Sequence, residues 1–316
     1  MAWVPDKPVS SGATGYHNAV VDAPYYIENL KELASIIRER IHDKEIVVDF
    51  GAGTGVSALC LLRDIKVNFQ LWLVDNSAAW LGKAYELFQG NPRVELFLLE
   101  RIDSAYKTLA ETIGKNSAHH VISANTVHLI PDLDHAFAGI HEALRPKGTF
   151  VFQSGSIVRK DRDKDILMFD ETVNRVHDLA LDIIRTQSEF SKYKTKLQER
   201  IEEEREQRKF VFPTPRAIEE YLKKLTDSGF ENITTYYKSI KIKYEDWIRF
   251  LKVHRLQAGI LPEIGGRYAT PEEEKTRDRI ITLAAEKLFR ELEQTNSKAD
   301  RTGFVCEWVY ISAVKI

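Results

Sequence analysis

The chain has 316 residues, and its 45 Lys and Arg nearly balance its 47 Asp and Glu, for a formal net charge of −2. This balance gives no support to a protein whose main partner is a polyanion. No segment reaches the roughly 18 apolar residues that a membrane-spanning helix needs, and the first residues lack the pattern of a secretory signal. Cys60 and Cys306 lie in apolar segments and form neither a metal set nor a disulfide framework. We therefore expect a soluble cytoplasmic protein with no membrane partner.

Residues 1–44 are expected to form an N-terminal arm followed by a helix. Up to residue 23 the arm carries prolines and glycines without any periodicity, which predicts irregular structure. From Pro24 onward, apolar residues recur at steps of three and four, the pattern of an amphipathic helix. These residues are Ile27, Leu30, Leu33, Ile37 and Ile41.

Residues 45–155 alternate short apolar strands with helices. We expect strands at 45–50, 69–75, 93–100, 119–125 and 148–154, and helices at 56–65, 78–89, 104–114 and 133–144. This alternation predicts parallel strands joined by right-handed crossovers, a doubly wound sheet. Sheets of this kind bind ligands at the carboxyl ends of their strands.

The alternation stops after Gly155. Residues 156–212 are expected to form a helical insert with an apolar stripe from Val173 to Ile201, and residues 213–242 to return to the core with a helix that begins at Thr214 and Pro215. Residues 243–302 predict a second helical insert, with helices near 244–257 and 271–294, and residues 303–316 a last core strand. The apolar stripes of both inserts must pack against another part of the fold, and only the carboxyl edge of the sheet is free. We therefore expect both inserts to cap that edge.

The stretch "VVDFGAGTG" (47–55) places three glycines at alternate positions directly after a strand. A dinucleotide-binding loop needs its third glycine three residues after the second, and Val56 occupies that position here. A phosphate-binding loop of the GxxxxGK[ST] type is also absent. The glycine spacing therefore argues against a nicotinamide dehydrogenase.

The same stretch resembles the first motif of the class I S-adenosylmethionine-dependent methyltransferases, with an acid at the end of strand one and a GxGxG loop. Asp75 closes the second strand, where this family keeps an acid for the ribose hydroxyls. "ANTVHLIPDLDHAFAGIHEALRPKGTFVF" resembles the stretch from the fourth to the fifth strand in the small-molecule branch, although His120 replaces a frequent acid and Lys147 the first glycine of the later turn. The resemblance implies an α/β Rossmann-like doubly wound sheet, mostly parallel with an antiparallel last strand, plus helical cap inserts.

The resemblance also implies S-adenosyl-L-methionine as the cofactor. The family normally keeps an acid near the adenine, and its position within "LLERIDSA" is ambiguous. The candidates for that role are Glu100, Ile102 and Asp103. Asn125 follows the fourth strand, and Tyr16 lies in the arm that closes over the cofactor in related enzymes. The expected cofactor-binding residues are Tyr16, Asp49, Gly51, Ala52, Gly53, Asp75, Asn76, Ile102, Asp103 and Asn125.

His128 is the best candidate for a general base, because it lies just beyond the fourth strand and would face the methyl group. No cluster at metal-ligand spacing appears, so no metal is expected. The expected substrate-binding residues are Tyr25, Tyr26, Arg249 and Arg255. A neutral or anionic substrate is favoured over a cationic one, because the second insert brings several cations toward the pocket. These are Arg249, Lys252, His254, Arg255 and Arg267.

The leading hypothesis is a methyltransferase that acts on a small molecule through O-, N- or C-methylation, with a homodimer as an option for the assembly. A protein or RNA methyltransferase is a second reading, because Lys192, Lys194, Lys196, Lys223 and Lys224 could form a basic face, although nucleic acid is an unlikely partner. A non-catalytic binding protein on the same fold is a third, supported by His120.

Overall fold

The structure is a computed structural model that describes residues 3–103, 105–195, 197 and 201–316. A sheet of seven strands forms its centre, and two short two-stranded pairs lie beside it. In chain order the strands are β1 Ile46–Phe50, β2 Gln70–Asp75, β3 Val94–Leu98, β4 Arg101–Ile102, β5 Ala105–Tyr106, β6 Ala118–Ala124, β7 Leu144–Ser154, β8 Ile157–Val158, β9 Arg216–Ala217, β10 Phe230–Lys243 and β11 Gly303–Lys315.

The strand order in the main sheet is β10–β11–β7–β6–β1–β2–β3. β1 pairs in parallel with β2 and β6, and the pairs β2–β3 and β6–β7 are parallel as well. β11 runs antiparallel to both of its neighbours, β7 and β10. The chain order reverses direction at β1, which creates the crevice where ligands bind in doubly wound sheets. The expected α/β sheet with an antiparallel last strand is confirmed.

The helices cover both faces of this sheet and its carboxyl edge. They are α1 Ser11–Val20, α2 Pro24–Arg38, α3 Val56–Asp64, α4 Ala78–Phe88, α5 Leu109–Ile113, α6 Leu133–Ala143, α7 Phe169–Thr186, α8 Ile201–Val211, α9 Ile218–Asp227, α10 Tyr244–Leu251, α11 His254–Ile260 and α12 Pro271–Thr295. Successive strand residues point to opposite faces. Val47 therefore joins the core under α2 and α3, and Val48 joins the core under α6 and α9.

The N-terminal arm is more regular than expected, because α1 occupies residues 11–20. Ser10 caps this helix, and its hydroxyl accepts a hydrogen bond from the Ala13 N–H at 3.2 Å. Gly12 and Gly15 interrupt the apolar pattern, which hides the helix in the sequence although Ala13, His17 and Val20 are buried along one side.

Three other predicted helices have different limits. The helix expected at 104–114 begins only at Leu109, because Thr108 and Glu111 form a capping box, and the β4–β5 hairpin precedes it. The helix expected from Thr214 begins at Ile218, because Arg216–Ala217 pairs in parallel with Ile157–Val158. The apolar stripe of the first insert is divided between α7, a 3₁₀ helix at Ser188–Tyr193 and α8; the expected helical positions 196 and 198–200 lie outside the described residues.

The two inserts pack against each other across the carboxyl side of the sheet. α7 lies along α12, and α8 contacts α11. α10 and α11 also contact α1, so the cap and the N-terminal arm form one layer. This layer leaves a space between itself and the strand ends.

Candidate active site

The space between cap and sheet is a cavity of about 750 Å³. The ends of β1, β2, β6 and β7 and the loops after them form its floor. Both inserts contribute to its roof, through Phe169, Phe210, Phe212, Phe250 and Leu256. The expectation that both inserts cap the carboxyl edge is confirmed.

The cavity is elongated along the sheet edge. Its lining includes Asp75 after β2 and Ser156 after β7, and the sheet order puts β1 and β6 between those two strands. Three strand spacings correspond to ~14 Å. We call the part near Asp75 the β2 end and the part near Ser156 the β7 end.

The glycine loop brings bare backbone to the floor of the cavity. Gly51 has a φ of 76°, and a Cβ built on it would lie 2.2 Å from Cγ2 of Thr126. The N–H groups of Gly51 and Ala52 both donate to the carbonyl of Val74, which ties the loop to β2. Only glycine fits this conformation and this close approach.

Asp75 holds the loop from the other side. Its Oδ2 accepts the Gly53 N–H at 2.9 Å, and its Oδ1 accepts the Ser77 N–H at 2.8 Å. Burial raises the pKa of Asp75, while the two backbone hydrogen bonds and Arg255 act in the opposite direction. A carboxylate has about four lone-pair sites, so each oxygen keeps an acceptor site for a ligand hydroxyl.

An aromatic platform lies beside Asp75. The rings of Tyr16 and Trp80 have centroids 4.6 Å apart, and the guanidinium of Arg255 lies 4.9 Å from the Trp80 ring centroid. Burial lowers the pKa of Arg255, and the negative charge of Asp75 opposes that shift. Tyr16, which was expected at the cofactor, lies at the β2 end. Arg255, which was expected at the substrate, lies at the β2 end as well.

Asp49 is fully buried at the end of β1 and does not line the cavity. The Ser57 hydroxyl donates to its Oδ2, and its Oδ1 has no partner within the described residues. Burial raises the pKa of Asp49 to about 7, and the negative charge of Asp75 adds to the rise. Asp49 thus supports the loop from below.

The region after β3 differs from the prediction. Ile102 is 55% exposed in the β4–β5 hairpin, and neither it nor Asp103 lines the cavity. Asp103 adopts a turn conformation with a φ of 52°. Leu99 and Arg101 line the cavity instead. Leu99 lies near the end of the strand expected at 93–100, and that position was the signal that could have identified it.

Asn76 and Asn125 both line the cavity, as expected of cofactor residues. Asn125 has a φ of 51°, and its side-chain oxygen accepts a hydrogen bond from the Trp308 indole at 3.1 Å. The two tyrosines expected at the substrate line the cavity as well. The Tyr26 hydroxyl lies 3.2 Å from that of Tyr16, and the Tyr25 ring stacks on Phe169.

His128 belongs to a hydrogen-bond chain at the β7 end. Its Nδ1 lies 2.9 Å from Oγ of Ser154, which accepts the Ser156 N–H at 2.9 Å. Either atom of the Ser154–His128 pair can be the donor, because the direction depends on which ring nitrogen of neutral His128 carries the hydrogen. Burial lowers the pKa of His128 to about 4. His128 also lines the cavity, so its role as the general base stays a prediction.

The same chain continues to an acid that the sequence did not single out. The Ser156 hydroxyl donates to Oδ1 of Asp170 at 2.6 Å. Asp170 lines the cavity and is only 5% exposed, and burial raises its pKa to about 6.

The other cations expected at the substrate do not line the cavity. Arg249 pairs with Asp22 at 2.8 Å and with Asp246 at 3.1 Å. Arg267 donates to Gln207 and covers the Phe210 ring from outside. Lys252 and His254 are likewise absent from the lining. Of the five cations in that prediction, Arg255 lines the cavity and the other four do not.

Part of the chain that forms the floor of this cavity matches a known protein family. Residues 47–148 match the model of a methyltransferase domain. They include the glycine loop, Asp75 and His128. Residues 47–148 therefore form a methyltransferase domain. No curated protein matches the sequence significantly.

Solved structures share the fold of this methyltransferase domain and its cap. The YcgJ protein from Bacillus subtilis is 15% identical with a TM-score of 0.51, and the match covers 90% of this chain and 98% of that chain. A candidate sarcosine dimethylglycine methyltransferase from Galdieria sulphuraria is 12% identical with a TM-score of 0.51, over 96% and 98% of the two chains.

A phosphoethanolamine N-methyltransferase from Haemonchus contortus, in complex with phosphomonomethylethanolamine and S-adenosylhomocysteine, is 16% identical with a TM-score of 0.51. That match covers 96% of this chain and 57% of the Haemonchus chain, so this chain spans little more than half of its length. At such identities these likenesses show a common fold.

The described residues contain no group of three or more His, Cys, Asp or Glu side chains that could hold a metal ion. None of the helices described for the methyltransferase is both long and apolar enough to cross a membrane. Both cysteines are buried free thiols, as expected.

Proposed function

We propose that the protein transfers a methyl group from S-adenosylmethionine to a small molecule bound at the β7 end of the cavity. The observation that carries this proposal is the continuity of the cavity. One continuous cavity links the glycine loop and Asp75 at the β2 end to the chamber at the β7 end. The cofactor and a second molecule therefore fit side by side along one sheet edge.

The residues at the β2 end fit the cofactor. Gly51 and Gly53 have positive φ and keep the loop free of side chains beside Thr126 and Trp80. In this proposal Asp75 accepts hydrogen bonds from the ribose hydroxyls, and Trp80 packs against the bound nucleoside. When bound, the cofactor supplies an electrophilic methyl group on a positively charged sulfur.

The chain itself aligns the two molecules and excludes water. The aromatic roof from both inserts closes the cavity from above, and a dry cavity favours a displacement in which charge is dispersed. Asn125 and Tyr26 line the middle of the cavity, where the two bound molecules would meet.

The pairing of the surface lysines favours a small-molecule substrate over protein or RNA. Lys192 pairs with Glu272, Lys223 with Asp227, and Lys224 with Asp134. Acids therefore offset three of the five lysines that could have formed a basic face, while Lys196 lies outside the described residues. An open groove for a polymer would also need the cap to be absent.

Ligand-induced thermal stabilisation tests the cofactor. S-adenosylhomocysteine at a hundredfold excess over its Kd should stabilise the fold by about 2.7 kcal/mol, whereas NAD should have no effect. Incubation with a methyl-labelled cofactor and metabolite extracts should then label a small molecule. Stabilisation by NAD but not by S-adenosylhomocysteine, or label found only in protein or RNA, would reject the proposal.

A further inference from the structure

Asp170 stands out among the groups at the β7 end, because it is a nearly buried carboxylate that lines the cavity. It lies in the first turn of α7, a helix of the first insert. One of its oxygens accepts the Ser156 hydroxyl, and the residue lines the cavity. No other acid of the described residues combines this degree of burial with a place in the lining.

The groups around Asp170 leave its charge only partly compensated. Arg208 of α8 reduces the rise in the pKa of Asp170, but its Nη1 donates to the carbonyls of Gly259 and Ile260, both at 3.1 Å. Glu171, the neighbouring acid, pairs with Arg162. Burial keeps His128, at the other end of the hydrogen-bond chain, neutral. An ionised Asp170 therefore lacks a cationic partner inside the cavity.

Aromatic side chains line the cavity together with Asp170. Phe169 precedes it, the Tyr25 ring stacks on Phe169, and the Trp308 ring lies 6.4 Å from that of Phe169. Phe212 of the first insert also lines the cavity. Aromatic faces attract cations and pack against apolar groups.

On the basis of the function proposed above, we propose that the methyl acceptor is an amine carried on an apolar body, and that Asp170 binds its ammonium group and accepts its proton. An ammonium group satisfies the buried carboxylate and faces the aromatic rings. A carboxylate substrate would instead place two negative charges together, which is costly in a desolvated site. An alcohol would leave the charge of Asp170 without a counter-charge.

The reaction balances with the groups present. Asp170 first takes one proton from the ammonium and leaves a neutral amine with a free lone pair. Methyl transfer then forms the nitrogen–carbon bond and breaks the carbon–sulfur bond, whose electron pair stays on sulfur. The proton on Asp170 leaves to water after the product departs. Asp170 here is both the anchor and the proton acceptor.

Matched probes test this assignment through binding, without turnover. Calorimetry on the protein saturated with S-adenosylhomocysteine would compare arylalkyl amines, from 2-phenylethylamine to 4-phenylbutylamine, with the corresponding alcohols and carboxylates. We expect at least one amine to bind at least tenfold more tightly than its alcohol. Asp170→Asn should remove this preference, while Asp134→Asn, which deletes an exposed acid outside the cavity, should keep it.

A pH series on the unaltered protein tests the role of Asp170 without requiring any variant to fold. Amine affinity should fall as the pH is lowered through about 6, where Asp170 becomes protonated, and alcohol affinity should stay constant. Equal affinity for amines and alcohols, an unchanged preference in Asp170→Asn, or no amine binding to a protein that binds S-adenosylhomocysteine would overturn the assignment. Failure to bind S-adenosylhomocysteine would instead reject the proposed function itself.

Discussion

Asp75 holds the glycine loop through its two oxygens. Asp75→Ala removes the acceptor that we propose for the ribose hydroxyls and releases the N–H groups of Gly53 and Ser77. Loss of a charged hydrogen-bond partner costs about 1.5 to 3 kcal/mol, so affinity for S-adenosylhomocysteine should fall roughly ten- to a hundredfold. Titration calorimetry measures this effect. Asp227→Ala, an exposed acid on α9, is the control, and equal affinities in the two variants would contradict the role of Asp75.

Two arginines with the same expected role in the sequence separate in the structure. Arg255 covers Trp80 and senses the charge of Asp75, whereas Arg249 is held by Asp22 and Asp246 outside the cavity. Arg255→Ala should weaken S-adenosylhomocysteine binding by roughly fivefold or more, since a cation over an aromatic ring contributes about 1 kcal/mol or more when desolvated. Arg249→Ala should leave that affinity unchanged. The same calorimetric assay decides, and a larger loss in Arg249→Ala would reverse the assignment.

At the scale of elements, the turn between β1 and α3 depends on a glycine for two separate reasons. Gly51 combines a φ of 76° with a predicted clash of any Cβ against Thr126, whereas Gly90 has a φ of 82° and open space around it. Backbone strain alone costs about 1 kcal/mol. Gly90→Ala should therefore lose about that much stability, and Gly51→Ala clearly more, because Thr126 and the loop must move.

Urea denaturation measures both glycine variants. Gly51→Ala should also lose S-adenosylhomocysteine binding, since the displaced loop includes the backbone that faces the cavity. Equal losses in the free energy of unfolding of the two variants would contradict the prediction, because the close approach of Thr126 would then add nothing to the cost of a Cβ at residue 51.

At the scale of the whole molecule, the buried Asp49 makes stability depend on pH. Its folded-state pKa of about 7 exceeds the ordinary value near 4 for Asp. The folded protein therefore binds the proton more tightly than the unfolded chain, and the contribution of Asp49 to stability is lost as the pH rises from about 4 through 7. Asp49→Asn carries no titrating proton and can still accept from Ser57. The difference in unfolding free energy, wild type minus variant, should fall between pH 5 and pH 8.

Denaturation curves at several pH values provide this difference. The comparison with the variant is needed because burial also lowers the pKa of His128, which makes stability rise with pH over part of the same range. A difference that is constant with pH would show that Asp49 is ionised in the folded protein.

The sequence predicted the parts of the site that lie close together along the chain. The glycine loop follows β1 directly, and Asp75 ends β2, so strand pattern and turn chemistry were enough to locate them. The hairpin after β3 was missed because its residues lack a clear period, so Ile102 and Asp103 were expected at the cavity that Leu99 and Arg101 line. Helix α1 was missed because two glycines weaken its pattern.

The amino-acid sequence by itself determined the doubly wound sheet, the nucleoside-binding loop and the class of chemistry, because these depend on local periodicity and on short motifs. The tertiary structure alone decided which side chains of the inserts enter the cavity. Asp170, Phe212 and Arg255 come from separate segments of the inserts, and Arg249 is only six residues from Arg255 yet pairs elsewhere. A charged residue on an amphipathic helix can face solvent, an ion-pair partner or a cavity, and its sequence neighbours do not distinguish these environments. That choice depends on how distant segments pack, which is a property of the folded chain as a whole.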